Sequence, residues 1–404
     1  MQKCITKICV LLAVLLSIPI ILTGCWNRRE LDTLGIVLTM AFDKEDEDIK
    51  ITAEVVKLQR GEGGKSSYGE SAPVKYVQGK GKTVFDALRD ITLKFDRKIF
   101  MAHIKTIILS EDIAKNNMSD ILDITQREHE IRETTYLFVS KHSKAEDALG
   151  SLGGVEEIPA ISFEDIIKNQ KYNGKSVAVQ GFEYYRTLFA QGIQPVIGVI
   201  QLVPKHKFRT SGDNKEEYEA NIEGSAVMKD NKFVGYLNGI QTYGYNLITN
   251  HVHSGSITSQ NNTKRNAVEI LSAHCDKSVD MHEGKFNISV SVTMKGILQE
   301  VSGSTDINSP KKIENIEKAN SEELKKIIEE AINAAQKNYN ADIFGFGKLV
   351  HQKYPRIWRK VKKDWNKIFA DSIITVQTKT EITKTGVITL DADTLKEKAN
   401  DEQN

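Results

Sequence analysis

Leu22-Thr23-Gly24-Cys25 places a thiol directly behind a small residue at the end of an apolar stretch. Lys3 and Lys7 precede that stretch, which runs from Ile8 to Leu22, so residues 1–24 carry the basic, apolar and small-residue parts of an export signal. A Leu-x-Gly-Cys box is what a bacterial lipoprotein signal peptidase reads once the thiol has been acylated. Cys25 is therefore expected to become the lipidated first residue of the mature chain. An uncleaved membrane-spanning helix is the competing reading. The apolar run of about 15 residues is short of the ~20 that crossing requires, and Pro19 interrupts it.

Other reactive patterns are incomplete. Gly64-Lys65-Ser66 has the end of a phosphate-binding loop, yet Gln59 stands where that loop needs its first glycine. His129-Glu130 and His282-Glu283 begin a zinc-binding His-Glu-x-x-His pattern that Glu133 and Phe286 fail to close. Gly174-Lys175-Ser176-Val177-Ala178 lacks the last glycine of a nucleophile elbow. Phe344-Gly345-Phe346-Gly347 is too short for a dinucleotide fingerprint and reads as a tight junction between helices. His251, His253, His274, Cys275 and His282 are dense enough to suggest zinc, but their spacing is irregular and no partner completes a recognised set. They are expected to be surface and loop histidines around a half-buried Cys275, with no metal and no cofactor.

The totals fit a folded chain held at a membrane by lipid. There are 404 residues, 40% of them hydrophobic and 27% charged, enough for two or three domains with their own cores. Losing residues 1–24 removes two lysines and no acid from 55 basic and 54 acidic residues, so the formal balance moves from +1 to near −1. A near-neutral chain is a poor nucleic-acid binder. Cys4 and Cys9 leave with the signal and Cys25 is acylated, so Cys275 remains alone and no internal disulfide can form.

The elements alternate through the first half. Residues 34–42 read as a buried strand, and 48–58 as a half-buried one with Ile49, Ile51, Ala53 and Val55 inward and Lys50, Thr52 and Glu54 outward. Residues 60–72 form a Gly- and Ser-rich loop, followed by a strand at 74–78 and a helix at 82–95. Strands at 104–109 and 135–139, helices at 119–130, 161–172 and 179–191, and a strand at 196–203 complete an α/β layer pattern.

A polar linker at 204–217 leads to a second half that restarts with a hairpin around Lys229-Asp230-Asn231. A helix at 239–248 and strands at 267–273 and 285–298 come next, then a polar loop at 299–312. The following helix is read as capped by Asn320, with Glu323 reaching back. Its stripe Leu324, Ile327, Ile328, Ala331, Ile332 and Ala335 should pack on the face of the sheet carrying Phe286 to Met294. A helix opened by Pro355, with Trp358, Val361, Trp365, Ile368 and Phe369 on one face, precedes a last strand at 372–383.

Cys25-Trp26-Asn27-Arg28-Arg29-Glu30-Leu31-Asp32, followed by Gly35-Ile36-Val37, resembles the mature start of the Ger(x)C lipoproteins, the C subunits of spore germinant receptors. The second half is similar to that family's C-terminal domain. The likeness lies in Val234-Gly235-Tyr236-Leu237, in Asp342-Ile343-Phe344-Gly345-Phe346-Gly347, in the Pro355/Trp358/Trp365 helix and in the closing strand with Gly386. The resemblance implies an α+β or mixed α/β chain of two to three subdomains, with mostly antiparallel or mixed sheets flanked by helices. On this reading the signal spans 1–24, the first domain 25–203, the linker 204–217, the second domain 218–390 and a polar tail 391–404.

The resemblance further implies a lipid-anchored, non-enzymatic subunit on the outer face of the spore inner membrane. Its partners would be the receptor's A and B membrane subunits, which together respond to amino acids, sugars or nucleosides. Only the lipidation site carries over residue by residue, onto Cys25. A membrane-tethered solute-binding lipoprotein is the alternative, and direct small-molecule binding stays open. A tethered cell-wall hydrolase should show a carboxylate pair or a complete metal set, and the sequence offers neither.

Overall fold

The computed structural model describes Ile5, Lys7 and residues 30–57, 73–154, 156–205, 218–261, 264–302 and 309–384. Cys25, the loop expected at 60–72 with Gly64-Lys65-Ser66, most of the linker and the tail at 391–404 lie outside them.

The first sheet grows around β1 (Leu34–Glu45). It pairs antiparallel with β2 (Asp48–Val56), which pairs with β3 (Val74–Gly81). Helix α1 (Val84–Ile91) follows, its first turn capped by the Thr83 hydroxyl, which accepts from Asp86 N at 3.1 Å. Short β4 (Lys98–Phe100) lies parallel to the start of β1, and β5 (Thr106–Leu109) parallel to its later residues. Next come α2 (Glu111–Asn116), α3 (Met118–Arg127), β6 (Tyr136–Lys141), α4 (Ala145–Gly150), α5 (Pro159–Asn169), β7 (Val179–Gln180), α6 (Gly181–Leu188) and β8 (Val196–Pro204). The hairpin of β9 (Tyr218–Lys229) and β10 (Lys232–Leu237) then pairs with β8, giving the order β10-β9-β8-β6-β5-β1-β2-β3. The hairpin expected to restart the second half is thus hydrogen-bonded into the sheet of the first.

Both faces of this sheet are covered, which explains why its middle strands read as continuous apolar runs. Ile107 and Leu109 enter one core with α1, α2 and α3, while Ile108 between them enters another with Ala145, Phe163 and Ile167 of α4 and α5. The half-buried reading of β2 is corrected for the same reason. Thr52 and Glu54, assigned to solvent, are buried because α4 and α5 roof that face. Two carboxylates fix the roof: Asp43 of β1 accepts from Ala145 N and Glu146 N, at 2.7 and 2.9 Å, and Glu54 accepts from Ala160 N at 3.2 Å. Each serves free N–H groups at a helix start.

The second sheet has the order β11-β12-β13-β14. Helix α7 (Gly239–Ile248), at the expected bounds, precedes β11 (Ser256–Asn261), β12 (Lys264–His282) and β13 (Lys285–Val301). Helix α8 (Pro310–Asn333) runs on into a π-helical turn at Ala334–Tyr339. Then come α9 (Phe346–Lys353), α10 (Pro355–Val361), α11 (Trp365–Asp371) and β14 (Ile373–Lys384), which pairs parallel to β13. The expected stripe of α8 shares one core with Phe286, Ile288, Val290, Val292 and Met294.

Two sequence expectations are corrected here. Asn320 does not cap α8, which starts ten residues earlier at Pro310; it is buried mid-helix, where its Nδ2 donates to Asn266 Oδ1 at 2.6 Å and to Ile316 O at 2.9 Å. A polar side chain with a tertiary partner was mistaken for one serving the backbone. The helix opened by Pro355 is two helices, and the break turns Trp365 so that its indole N–H reaches Asp342.

Candidate functional site

The turn before β8 meets the segment before α9, and the meeting is built around one carboxylate. Asp342 is fully buried; its Oδ1 accepts from the backbone N–H groups of Phe344, Gly345 and Phe346, and its Oδ2 from Gly347 N at 2.7 Å and Trp365 Nε1 at 2.9 Å. Burial raises its pKa, and the donors of Gly347 and Trp365 oppose that rise most. Its backbone oxygen accepts from Gln194 N at 2.7 Å, Lys348 N donates to Gly192 O at 3.1 Å, and Trp358 Nε1 donates to Gln191 Oε1 at 2.7 Å. The approach needs glycine twice. Gly192 has φ +76 and a Cβ there would strike Gly347, and a Cβ on Gly347 would strike the Trp365 indole.

Beside this junction opens a cleft of about 840 Å³. The end of α5, the segment 174–179, α6, α7, β12 and α9 wall it. Asn246 of α7 steadies one side, its Nδ2 donating to Gly174 O at 2.8 Å and Ser176 O at 2.9 Å. Lys168, Lys171, Arg186, Lys277 and Lys348 bring positive charge to the lining, against one carboxylate among the described residues, that of Glu183. Lys277 Nζ donates to Phe344 O at 3.0 Å, and burial holds its pKa below the usual lysine value.

The candidates named from sequence are not assembled into a catalytic set among the described residues. Cys25 lies outside those residues. Cys275 is buried, more deeply than expected, between Asn250 contacts to its backbone, and burial pushes its thiol up to about 11, which makes it a poor nucleophile at neutral pH. His274 is exposed and faces Asp276 at 3.3 Å, while His251 meets Thr249 Oγ1 at 2.9 Å and, with His253, lines the cleft. Ser176 hydrogen-bonds the Gln170 carboxamide at 2.9 Å rather than a histidine. Glu128, His129 and Glu130 are the one group of three ligand-type side chains found together among the described residues, and His129 is exposed. Phe344 and Gly345 lie in a junction between the π-helical turn and α9, whose first two residues are Phe346 and Gly347.

Sequence reading missed the cationic cleft, because its charges come from five places spread between residues 168 and 348 and have no shared pattern. It also passed over the Asp342 carboxylate as a structural centre. The Asp ahead of two glycines was the available signal, since Asp side chains accept from the backbone a few residues on.

Among the described residues no helix is long and apolar enough to cross a membrane. Residues 27–202 match the family model described as "Spore germination protein N-terminal domain", and residues 223–386 match "Spore germination B3/ GerAC like, C-terminal". Spore germination protein KC of Bacillus subtilis (strain 168) is 27% identical over 399 residues, covering 96% of this chain and 97% of that protein. Spore germination protein B3 of the same organism is 23% identical over 377 residues, covering 92% and 95%. The solved structure titled "Crystal Structure of the GerBC protein" superposes with TM-score 0.55 at 18% identity, covering 85% of this chain and 96% of that one.

Proposed function

Because the chain belongs to the Ger(x)C family of spore germination proteins, we propose that it is the lipid-anchored, non-enzymatic subunit of a nutrient-germinant receptor. The observation that carries this reading is the Leu22-Thr23-Gly24-Cys25 box directly ahead of a chain that matches the family in both halves. Cys25 would carry the diacylglycerol. A single acyl chain gives marginal membrane residence, whereas two or more give a stable anchor.

The anchor would hold the folded chain at the outer face of the spore inner membrane, beside the A and B membrane subunits. Tethering raises the effective concentration of a partner without a large interface. This suits a chain with near-neutral charge, whose membrane attachment comes from lipid rather than from a polybasic surface. The non-enzymatic part of the reading rests on the sequence motifs, each of which lacks a residue that its chemistry needs.

The test is Cys25→Ala. The variant should fold, leave the membrane fraction and lower the germination response. A variant found wholly in the membrane fraction, in spores that germinate normally, would overturn the anchor reading.

A further inference from the structure

The cleft beside Asp342 concentrates positive charge in a chain whose total is only +1. Lys168 is already paired, with Glu164 at 3.3 Å and Asp165 at 3.2 Å. Lys171, Arg186, Lys277 and Lys348 have no carboxylate at ion-pair distance among the described residues. Lys171 lies over the Tyr172 ring at 5.1 Å. Lys277 is attracted by the buried Asp342 and repelled by Lys348, and Arg186 and Lys277 both act on His251.

The nearby acids are occupied. Glu183 accepts from Gln180 N at 3.0 Å, and both oxygens of Asp342 are filled by five N–H donors. Like charges held together at a partly desolvated wall repel, and a bound anion relieves that repulsion. Val177, Val196, Ile193, Phe344 and Leu349 give the same cleft an apolar wall. Its volume of about 840 Å³ falls within the roughly 300–1,000 Å³ of small-molecule sites.

We propose that this cleft binds a small organic anion, with a carboxylate or phosphate held by Arg186, Lys277 and Lys348 and an apolar body against Val177, Val196 and Phe344. The site belongs to the folded chain and does not depend on lipidation of Cys25 or on receptor partners.

Calorimetric titration of the full-length chain in neutral detergent tests it, with benzoate, phenyl phosphate and uncharged benzyl alcohol as probes. One or both anions should bind saturably, the alcohol should not, and added salt should weaken binding. The double variant Arg186→Gln/Lys348→Gln alters two exposed side chains and should weaken anion binding about tenfold, or about 1.4 kcal/mol. Lys277→Met should do the same, and its melting temperature is recorded because Nζ also serves Phe344 O. Saturable binding of benzyl alcohol equal to that of the anions, no saturable heat from either anion, or unchanged affinity in the double variant would overturn the proposal. None of these outcomes bears on membrane fractionation, which tests the receptor reading separately.

Discussion

Glu54 lies on a strand face that alternation assigns to water and the fold covers with α5. Burial raises its pKa from 4.5 to about 6, against the pull of the Ala160 N–H. The folded chain therefore holds this proton more tightly than the unfolded chain does. The stabilisation is full below about pH 4.5 and is lost as pH rises through about 6, leaving a cost on the order of 2 kcal/mol at neutral pH. Glu54→Gln keeps an acceptor for Ala160 N and removes the titration. Relative to wild type it should gain about 2 kcal/mol between pH 4.5 and 7.5 in urea unfolding, and a difference that does not move with pH would refute the assignment. Asp342 is the opposite case, a carboxylate whose removal strands five donors. Asp342→Ala should cost at least about 3 kcal/mol, read as a large fall in the urea midpoint. The Glu54 environment was not legible in sequence, because its cover comes from Ala160, 106 residues on. At Asp342 four donors lie just downstream and only the Trp365 indole is distant, so the local signal was there and was passed over.

At the scale of elements, periodicity carried most of the information. Helix α7 has the expected bounds, and β13 alternates through Phe286, Ile288, Val290, Val292 and Met294 as read. Those signals are local: one covered face imposes a period of 2 or 3.6 on its own residues. The start of α8 was misread because Asn320 followed by Glu323 imitates a cap, while the helix runs back through polar residues to Pro310. In the fold, Ser259 donates to Asn266 Oδ1 at 3.1 Å and Asn320 donates to the same oxygen, joining β11, β12 and α8. Asn320→Ala should cost about 1–3 kcal/mol with helix content unchanged, since no cap is lost. A drop in helical circular dichroism at low temperature would restore the capping reading.

For the whole molecule, the two family segments share more than a linker. Strands β9 and β10, which lie largely in the second matched segment, extend the first sheet, and the junction at Asp342 ties the turn at 191–194 to the segment before α9. Each half therefore completes a surface of the other. Calorimetry should show one cooperative unfolding transition, and two transitions well separated in temperature would show that the halves are independent. The sequence suggested a clean restart after the linker, because a hairpin signal is local and does not reveal which sheet edge it joins. The cationic cleft was hidden by the same distance between its contributing segments.

Strand β14 closes the second sheet beside β13 in parallel register, after a crossing that holds α8, α9, α10 and α11. Its residues, Ile373–Lys384, are among the last described ones to be synthesised. Until they emerge, β13 has an open edge and the core beneath α8 lacks Val376. Such long-range parallel closure is slow, and an exposed strand edge invites wrong partners. The second half thus depends on β14, so a truncation before residue 373 would be expected to yield a product prone to aggregation, with the first sheet's β1 to β8 already made.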